Sequence, residues 1–261
     1  PKRVMIRRIG LRFQGRRGLS RLVRQCNLMR MKLDVVMPVY NELSTIRESV
    51  ARLIHCGLPE LARVIIVDDF STDGTRKILA DIDAENSTVQ VLYHDENQGK
   101  GGALKTGFGA ATGDVVVVQD ADLEYDPKDL AALLAPIRQG HADVVYGSRF
   151  LGGGAHRVQF FWHYVGNKFL TSLSNMMTNL NLTDMEVCYK MFRKEVLDGM
   201  LLKGKRFGIE AEMTAKVAKG KWRIYEVPVS YYGRGYDEGK KITWKDGVRT
   251  LWCILKYSVD D

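Results

Sequence analysis

The chain has 261 residues, of which 45% are hydrophobic, and a formal net charge of +8. This apolar fraction supports a substantial core and excludes a disordered chain. The charge is unevenly placed: residues 1–30 contain ten Lys and Arg and no acid, so without them the net charge falls from +8 to −2. The remainder, residues 31–261, is therefore near neutral, and its charge does not indicate nucleic-acid binding.

The basic stretch 1–30 has three interpretations. It is an extension outside the fold that precedes a natural start at Met29 or Met31, a basic arm for anionic lipid, or an Arg-rich, acid-free transit peptide. We favour the first interpretation, which leaves residues 31–261 as one folded domain.

The cysteines and the hydropathy indicate a cytoplasmic protein. The four cysteines are scattered without a CxxC pair, which is typical of reduced thiols and not of a disulfide framework or a zinc site. No apolar stretch approaches the roughly 20 residues that cross a bilayer, and no secretory signal is present. Peripheral contact with the cytoplasmic face of the membrane stays open.

From residue 33 onward the pattern alternates between strand and helix. Strands are predicted at 33–39, 64–67, 89–93, 115–118 and 144–146. Helices are predicted at 45–56 with Ser44 as the cap, from 73–74 onward, at 101–111, and from 126–127 to 138. This order predicts an α/β fold with a doubly wound, mainly parallel sheet and helices on both faces.

The alternation stops after residue 149. The pattern then predicts a long helix at 160–180, a segment at 184–192, a helix near 210–219, a strand at 224–229, a polar loop at 231–241 and a helix at 244–257. With no repeat and no long linker, we expect one domain in two halves. Residues 31–150 form a nucleotide-binding half and residues 151–261 an acceptor half.

An acidic motif follows the strand of four valines, 115–118. A run of four valines predicts a strand buried on both faces, as in a parallel sheet. Asp120, Ala121 and Asp122 follow it, and ligands bind at this end of the strands in open α/β sheets. Closely spaced carboxylates suit Mg²⁺ or Mn²⁺ shared with a diphosphate. The alternative is a solvated pair of loop acids.

Two common phosphate motifs are absent. The segment 99–107 fails as a P-loop because Leu104, and not glycine, precedes Lys105, and no G-x-G follows the first strand. These absences argue against an NTPase and a dehydrogenase. Lys100 and Lys105 either face a diphosphate or are solvated.

Four clusters lie at or just beyond the carboxyl ends of predicted strands. They are Pro38/Tyr40/Glu42, Asp68/Asp69, Asp120/Asp122/Glu124 and Gly147-Ser148-Arg149. Because these ends share one edge of a parallel sheet, we expect the clusters to meet in one crevice.

Together these motifs resemble the inverting family 2 glycosyltransferases, which have the GT-A fold. The matching stretches are PVYNE, VDDFSTDGT, NQGKGGALKTG, ATGD, DADLE, GSRF and EVPVSYYGRGYDEGKK. The resemblance covers about residues 31–257. Within the family it is greatest for the branch of dolichol-phosphate mannosyltransferases and polyprenyl-phosphate glycosyltransferases.

The resemblance implies a metal-dependent hexosyltransferase with a GDP-mannose or UDP-glucose type of donor and a polyprenyl or dolichyl phosphate acceptor. It implies Mg²⁺ or Mn²⁺ at Asp120, Asp122 and Glu124. The donor-binding residues that it implies are Pro38, Tyr40, Glu42, Asp68, Asp69, Lys100, Asp120, Ala121, Asp122, Arg149, Arg234 and Lys240. The catalytic residues would include Asp122 and Arg149.

The acceptor is the least determined part of this prediction. A lipid phosphate is already ionised and needs no base, whereas a hydroxyl acceptor on a glycan or lipid needs a carboxylate, for which Asp184 and Glu186 are candidates. On a strand these two acids would share one face. His163 stands where an archaeal-type relative presents an arginine to the acceptor phosphate, with Arg157 nearby.

Further alternatives concern surfaces and rival activities. Apolar stripes on the helices at 160–180 and 244–257 suit core, a homo-oligomer interface or a membrane surface. A sugar-1-phosphate nucleotidyltransferase would need a Gly/Arg-rich loop after the first strand, which is absent. A non-catalytic binding protein that acts through its basic tail is the fourth hypothesis.

Overall fold

A seven-stranded sheet forms the centre of the computed structural model, which describes residues 31–152, 157–158, 160–204, 208–235 and 244–259. The basic stretch 1–30 and Lys240 lie outside the described residues. The strands are β1 (Leu33–Val39), β2 (Leu61–Asp68), β3 (Val89–Tyr93), β4 (Val115–Val118), β5 (Val144–Ser148), β6 (Lys190–Arg193) and β7 (Ile224–Pro228). Their order is β3-β2-β1-β4-β6-β5-β7.

The sheet is mainly parallel, as the sequence predicts. Only β6, among the described strands, runs antiparallel, and it pairs with β4 on one side and β5 on the other. The four valines of β4 are at most 1% exposed, which confirms a strand covered on both faces. Strands from both predicted halves of the chain therefore share one sheet and one core.

The helices follow the predicted pattern with shifted ends. They are α1 (Ile46–Ile54), α2 (Thr75–Glu85), α3 (Lys100–Ala110), α4 (Leu130–Arg138), α5 (Phe161–Thr178), α6 (Lys194–Asp198), α7 (Ile209–Lys219) and α8 (Trp244–Val259). The prediction that Ser44 caps α1 is wrong. Thr45 occupies the cap position, and its hydroxyl donates to the Glu42 carboxylate at 2.9 Å instead of accepting from the helix.

The predicted helix from residue 126 begins as a short 3₁₀ turn, Pro127–Asp129, before α4. The Asp126 carboxylate accepts a hydrogen bond from the Lys128 amide and so holds this turn at its start. A proline at the first position suits such a start because it lacks the amide proton that would have no partner there.

Asp184 and Glu186 do not lie on a strand, so the condition under which they would share one face is not met. The segment 184–189 is irregular, with a turn at residues 185–186, and the chain enters β6 only at Lys190. Because β6 is antiparallel, this entry lies at the edge of the sheet where β4 and β5 end. The irregular segment therefore lies between the carboxyl ends of β4 and β5.

The inward side of helix α5 is mixed, since Leu170 and Leu173 pack against a hydrophobic cluster and polar residues lie beside them. Its buried residues are Thr171 and Ser174, whereas Trp162 is 77% and Met176 is 80% exposed. Helix α8 packs on α5 and also exposes apolar side chains: Val248, Trp252, Leu255 and Val259. Within the described part of the chain, no helix is both long and apolar enough to cross a bilayer.

Candidate active site

A cleft of about 960 Å³ opens at the carboxyl edge of the sheet. It brings together most of the residues singled out from the sequence: Pro38, Tyr40, Glu42, Asp69, Lys100, Asp120, Ala121, Asp122, Glu124, Arg149, Arg157, His163, Glu186 and Arg234. Asp68 and Asp184 do not line it, and Lys240 lies outside the described residues. The convergence expected from strand order is thus observed.

The acids after β4 are matched by cations from distant segments. The Lys100 ammonium lies 3.1 Å from Asp120 and 3.0 Å from Glu210. The Arg234 guanidinium lies 3.0 Å from Asp122 and 3.5 Å from Glu124. The motif is therefore an ion-pair network and not a solvated pair of acids.

The ionisation of Asp122 is strongly shifted by its surroundings. Burial raises its pKa to about 7, with the charges of Asp120 and Glu124 adding to the rise and Arg234 opposing it. A nearby cation stabilises the ionised form of such a group. The pKa of Asp122 is therefore sensitive to any further positive charge that enters the cleft.

The acids fit a divalent cation by their chemistry. Carboxylate oxygens are ligands that Mg²⁺ and Mn²⁺ prefer, and the mutual repulsion at Asp122 is what a cation relieves. As arranged here, however, no three His, Cys, Asp or Glu side chains within the described ranges converge on one ion. Asp122 and Glu124 contact Arg234 instead.

The backbone bends sharply where the chain leaves the strands at this edge. Asn41, Phe70 and Leu123 have φ angles of 53°, 66° and 64° and follow β1, β2 and β4. Residues with side chains rarely adopt this left-handed conformation, and where they do they cluster at functional sites. At Leu123 the bend lies between the two acids that contact Arg234.

Asp69 and Asp68 differ in their positions. Asp69 lines the cleft, and its carboxylate accepts hydrogen bonds from the amides of Gln98 (2.8 Å) and Gly99 (2.6 Å) and contacts the His94 ring at 2.8 Å. It thereby fixes the loop that leads into α3. Asp68 is fully buried and pairs with the Arg76 guanidinium at 2.6 Å.

Arg149 is held by a buried carboxylate. Its Nε and Nη2 donate to Asp184 at 2.7 and 2.8 Å, and its backbone amide donates to the same side chain at 3.1 Å. Burial alone would raise the pKa of Asp184, but Arg149 lowers it below the usual range. Asp184 therefore stays ionised and away from the cleft, which disfavours its use as a base.

Glu186 has a different environment from Asp184. It lines the cleft, and its Oε1 is buried without a hydrogen-bond partner among the described residues. Burial and the charge of Glu210 raise its pKa to about 7, while Lys190 and Arg149 oppose the rise. A carboxyl group with a pKa near 7 can both take up and release a proton at neutral pH.

Sequence reasoning did not single out Glu210 and Tyr231, and Lys190 is a third participant. Glu210 joins the network through Lys100, Lys190 is fully buried beside Glu186 and Glu210, and the Tyr231 hydroxyl donates to Glu124 at 3.0 Å. Lys190 donates to the carbonyls of Met185 and Val187. Burial of a lysine or a glutamate cannot be read from the sequence, and nothing in the spacing of these residues pairs them, so no sequence signal was available.

The start of α5 adds the predicted acceptor residues to the cleft. Arg157, His163 and the aromatic Phe160 and Trp162 line it. Trp162 is also one of the most exposed apolar side chains of the described structure. This part of the cleft is therefore both cationic and aromatic, and it is continuous with the exposed side of α5.

The fold and the cleft define a class of enzyme, the GT-A glycosyltransferases. Glucosyl-3-phosphoglycerate synthase from Mycobacterium tuberculosis, solved with Mn²⁺, UDP and glucosyl-3-phosphoglycerate, matches with a TM-score of 0.68 at 19% identity, over 91% of this chain and 84% of that one. A second structure of that synthase, with Mg²⁺ and UDP, matches with a TM-score of 0.65 at 22% identity, over 92% of this chain and 84% of that one. These likenesses establish the fold.

The chain belongs to glycosyl transferase family 2, whose model matches residues 34–201. It is 33% identical to an undecaprenyl-phosphate mannosyltransferase of Micrococcus luteus, over 80% of this chain and 87% of that protein. It is 29% identical to a dolichol-phosphate mannosyltransferase of Pyrococcus furiosus, over 87% of this chain and 64% of that protein. The prediction of a family 2 glycosyltransferase is confirmed.

Proposed function

We propose that this glycosyltransferase moves a hexose, with inversion, from a nucleotide sugar of the GDP-mannose or UDP-glucose type to a polyprenyl or dolichyl phosphate. The two mannosyltransferase relatives, named for undecaprenyl and dolichol phosphate, support the acceptor. The cleft supports the donor, because it combines acids for a metal-bound diphosphate with cations for phosphate groups.

The observation that carries the proposal is the spacing between two strands, β4, which precedes the acids, and β5, which precedes Arg149. Val117 of β4 and Val145 of β5 both pair with Met191 of β6, so they lie at one level of the sheet. Ala121 and Arg149 each follow four residues later. Two strand spacings, about 10 Å, separate their strands. This distance accommodates one sugar ring between a donor diphosphate and an acceptor phosphate.

Asp120, Asp122 and Glu124 are the residues that would hold a divalent cation. When bound, the cation would supply positive charge to the leaving nucleoside diphosphate. Arg234 would exchange its carboxylate partners for the diphosphate, which guanidinium groups bind well. Lys100 would stay at the acids and keep Asp120 oriented.

Arg149 would meet the acceptor phosphate. Its Asp184 contacts fix the guanidinium plane before any ligand arrives, and such preorganisation reduces the cost of binding. A phosphate oxygen is ionised at neutral pH, so transfer needs positioning and charge neutralisation but no general base.

A hydroxyl acceptor is the second candidate, and one observation favours it. The pKa of Glu186, about 7, suits a general base for a hydroxyl group. In that case Glu186, and not the buried Asp184, would take the proton.

We also propose that α5 and α8 contact a membrane surface. Their exposed apolar residues include Trp162, Phe169 and Trp252, and aromatic side chains suit the interface between headgroups and acyl chains. Since Trp162 also lines the cleft, a lipid-bound acceptor would reach Arg149 without leaving the membrane surface.

Calorimetric titration with GDP and UDP, with and without Mn²⁺, tests the donor site. We expect one nucleotide to bind in a Mn²⁺-dependent way, and Asp122→Ala to lose that dependence. Asp126→Ala is the matched control, because Asp126 holds the turn before α4 and does not line the cleft. Absence of binding of either nucleotide in the presence of Mn²⁺ would contradict the donor proposal.

Transfer assays with polyprenyl phosphate and with the corresponding polyprenol, which has a hydroxyl group, test the acceptor. We expect sugar transfer to the phosphate alone. Transfer to the polyprenol that Glu186→Gln abolishes would favour the second candidate instead.

A further inference from the structure

The topology places one short segment between the two ends of the proposed reaction. Strand β6 lies between β4 and β5 and runs against both. Its entry segment, residues 184–189, therefore lies at the carboxyl edge between the acids after β4 and Arg149 after β5. A sugar that bridges a donor diphosphate and an acceptor phosphate would lie over this segment.

Two side chains of the segment line the cleft, Glu186 and Cys188. They differ in what they can offer to a hydroxyl group. Burial raises the pKa of the Cys188 thiol well above its usual value, so it stays a neutral thiol, which is a weak hydrogen-bonding group. Glu186 is a carboxyl group whose buried Oε1 has no partner among the described residues.

The residues around Glu186 hold its neighbouring backbone in place and make no hydrogen bond to its Oε1 atom within the described part of the chain. Lys190, which is fully buried, donates to the carbonyls of Met185 and Val187, the two neighbours of Glu186 along the chain. Glu210 on α7 is turned to Lys100 at 3.0 Å. The backbone on both sides of Glu186 is therefore held in place, and its side chain lines the cleft with one buried acceptor atom, Oε1, available to a ligand.

From this placement we infer that Glu186 recognises a hydroxyl group of the transferred sugar and contributes to the choice of sugar. The inference rests on the proposed donor. Glu186 is then a specificity-determining residue that acts in binding, while Arg149 and the acids after β4 bind the two phosphate-bearing groups. A hydroxyl group can donate a hydrogen bond to Oε1, and it can also accept a hydrogen bond from the carboxyl O–H when that group is neutral.

The test compares nucleoside diphosphates with their sugar derivatives on the same variants. Calorimetry measures the binding of GDP and UDP, and of GDP-mannose and UDP-glucose, with Mn²⁺ present. We expect Glu186→Ala to weaken the binding of the nucleotide sugar about 10-fold and to leave that of the free nucleotide within about 2-fold. Glu186→Gln, which keeps a carbonyl oxygen, should recover most of the lost affinity.

Sugar analogues that lack one hydroxyl group locate the contact. Wild-type protein should lose affinity for one deoxy analogue, and Glu186→Ala should bind that analogue and the parent sugar nucleotide equally well. A double-mutant cycle that combines Glu186→Ala with removal of the sugar hydroxyl group then gives a coupling free energy. A purely structural role of Glu186 would not produce such a coupling.

Several outcomes would overturn the inference. Equal losses for nucleotide and nucleotide sugar would make Glu186 structural, and unchanged affinities in Glu186→Ala would remove it from the sugar site. Full loss of turnover in Glu186→Gln with unchanged sugar-nucleotide affinity would make it a base. If wild-type protein binds neither nucleotide nor nucleotide sugar, the proposed donor is wrong, which is a distinct result.

Discussion

Two aspartates of this protein hold an arginine in the same two-point manner but in different surroundings. Asp184 binds Arg149, which is 12% exposed, and Asp143 binds Arg223, which is 53% exposed. Both carboxylates are themselves buried. An exposed ion pair contributes little to stability because water and salt screen it, whereas loss of one partner of a buried pair leaves an uncompensated charge.

Substitution of each aspartate by asparagine should separate these effects. Asp184→Asn should lower the free energy of unfolding by about 3 kcal/mol, because the Arg149 charge loses its buried partner. It should also raise the KM for the acceptor, because the guanidinium plane is no longer fixed. Urea unfolding and transfer kinetics measure the two effects.

Asp143→Asn is the matched control for this prediction. Its partner Arg223 reaches solvent, so we expect a loss of about 1 kcal/mol or less and unchanged kinetics. Equal stability losses in the two variants, or an unchanged acceptor KM in Asp184→Asn, would show that Arg149 does not depend on Asp184.

The side-chain chemistry of the cleft could be predicted from the sequence, but its pairing could not. Strand ends indicate Asp120 and Asp122, because four valines define where β4 stops. Their cationic partners Lys100 and Arg234 lie 20 and 112 residues away, and only the folded sheet brings them together. For the same reason the sequence offers Asp184 as a base, although Arg149 occupies it.

At the scale of single elements, helix α3 approaches the sheet through a glycine. A Cβ atom on Gly107 would overlap Cγ1 of Val36, a fully buried residue of β1. Val36 has a stiff, branched side chain and cannot turn away easily. The close contact between α3 and β1 therefore requires glycine at this position, although glycine lowers intrinsic helix stability.

A pair of alanine substitutions in α3 tests this contact. Gly107→Ala should destabilise the protein by about 1–3 kcal/mol through overpacking. Gly109→Ala, where no atom lies within 4 Å of the added Cβ, should stabilise it by about 0.5–1 kcal/mol because alanine favours the helix. Thermal unfolding of both variants measures the sign of each stability change. A Gly107→Ala variant that is more stable than the wild-type protein would refute the close packing.

Helices and strands with a clear apolar pattern in the sequence could be predicted, whereas a short strand without one could not. Helix α7 and strands β1, β3 and β4 have clear apolar patterns, and their predicted bounds are close to the observed ones, as is the predicted start of α2. Strand β6 is only four residues long, and nothing in Lys190–Arg193 specifies that it enters the sheet in the opposite direction. Its partners β4 and β5 determine that direction, so the irregular segment 184–189 could not be predicted locally.

At the scale of the whole molecule, two helices that pack on each other expose apolar faces. On α5 the exposed residues Trp162, Phe169 and Met176 recur every seven positions, and on α8 Val248, Trp252 and Val259 follow a helical spacing. Exposed apolar residues grouped in this way support the proposed membrane surface. The sequence predicts both stripes but cannot distinguish core from surface, because that depends on which face meets the sheet.

Binding to vesicles of neutral phosphatidylcholine tests the proposed membrane surface, because such lipids give the basic residues 1–30 little electrostatic attraction. Trp162→Ser with Phe169→Ser should reduce the fraction of protein that cosediments at least five-fold, since each ring buries a large apolar area. Tyr225→Ser on β7 is the control, as Tyr225 is exposed but lies outside the cleft and outside both helices. Equal cosedimentation of all variants would refute the membrane surface.

The position of β6 has a consequence for the synthesis of the protein. Val116 in β4 pairs with Phe192, which the ribosome adds 76 residues later. Until then a nascent chain can join β1 to β4 but leaves the outer edge of four valines without hydrogen-bond partners. Open, apolar strand edges pair readily with other chains. We therefore expect the nascent chain to be most prone to association with other chains while residues 119–193 are being translated.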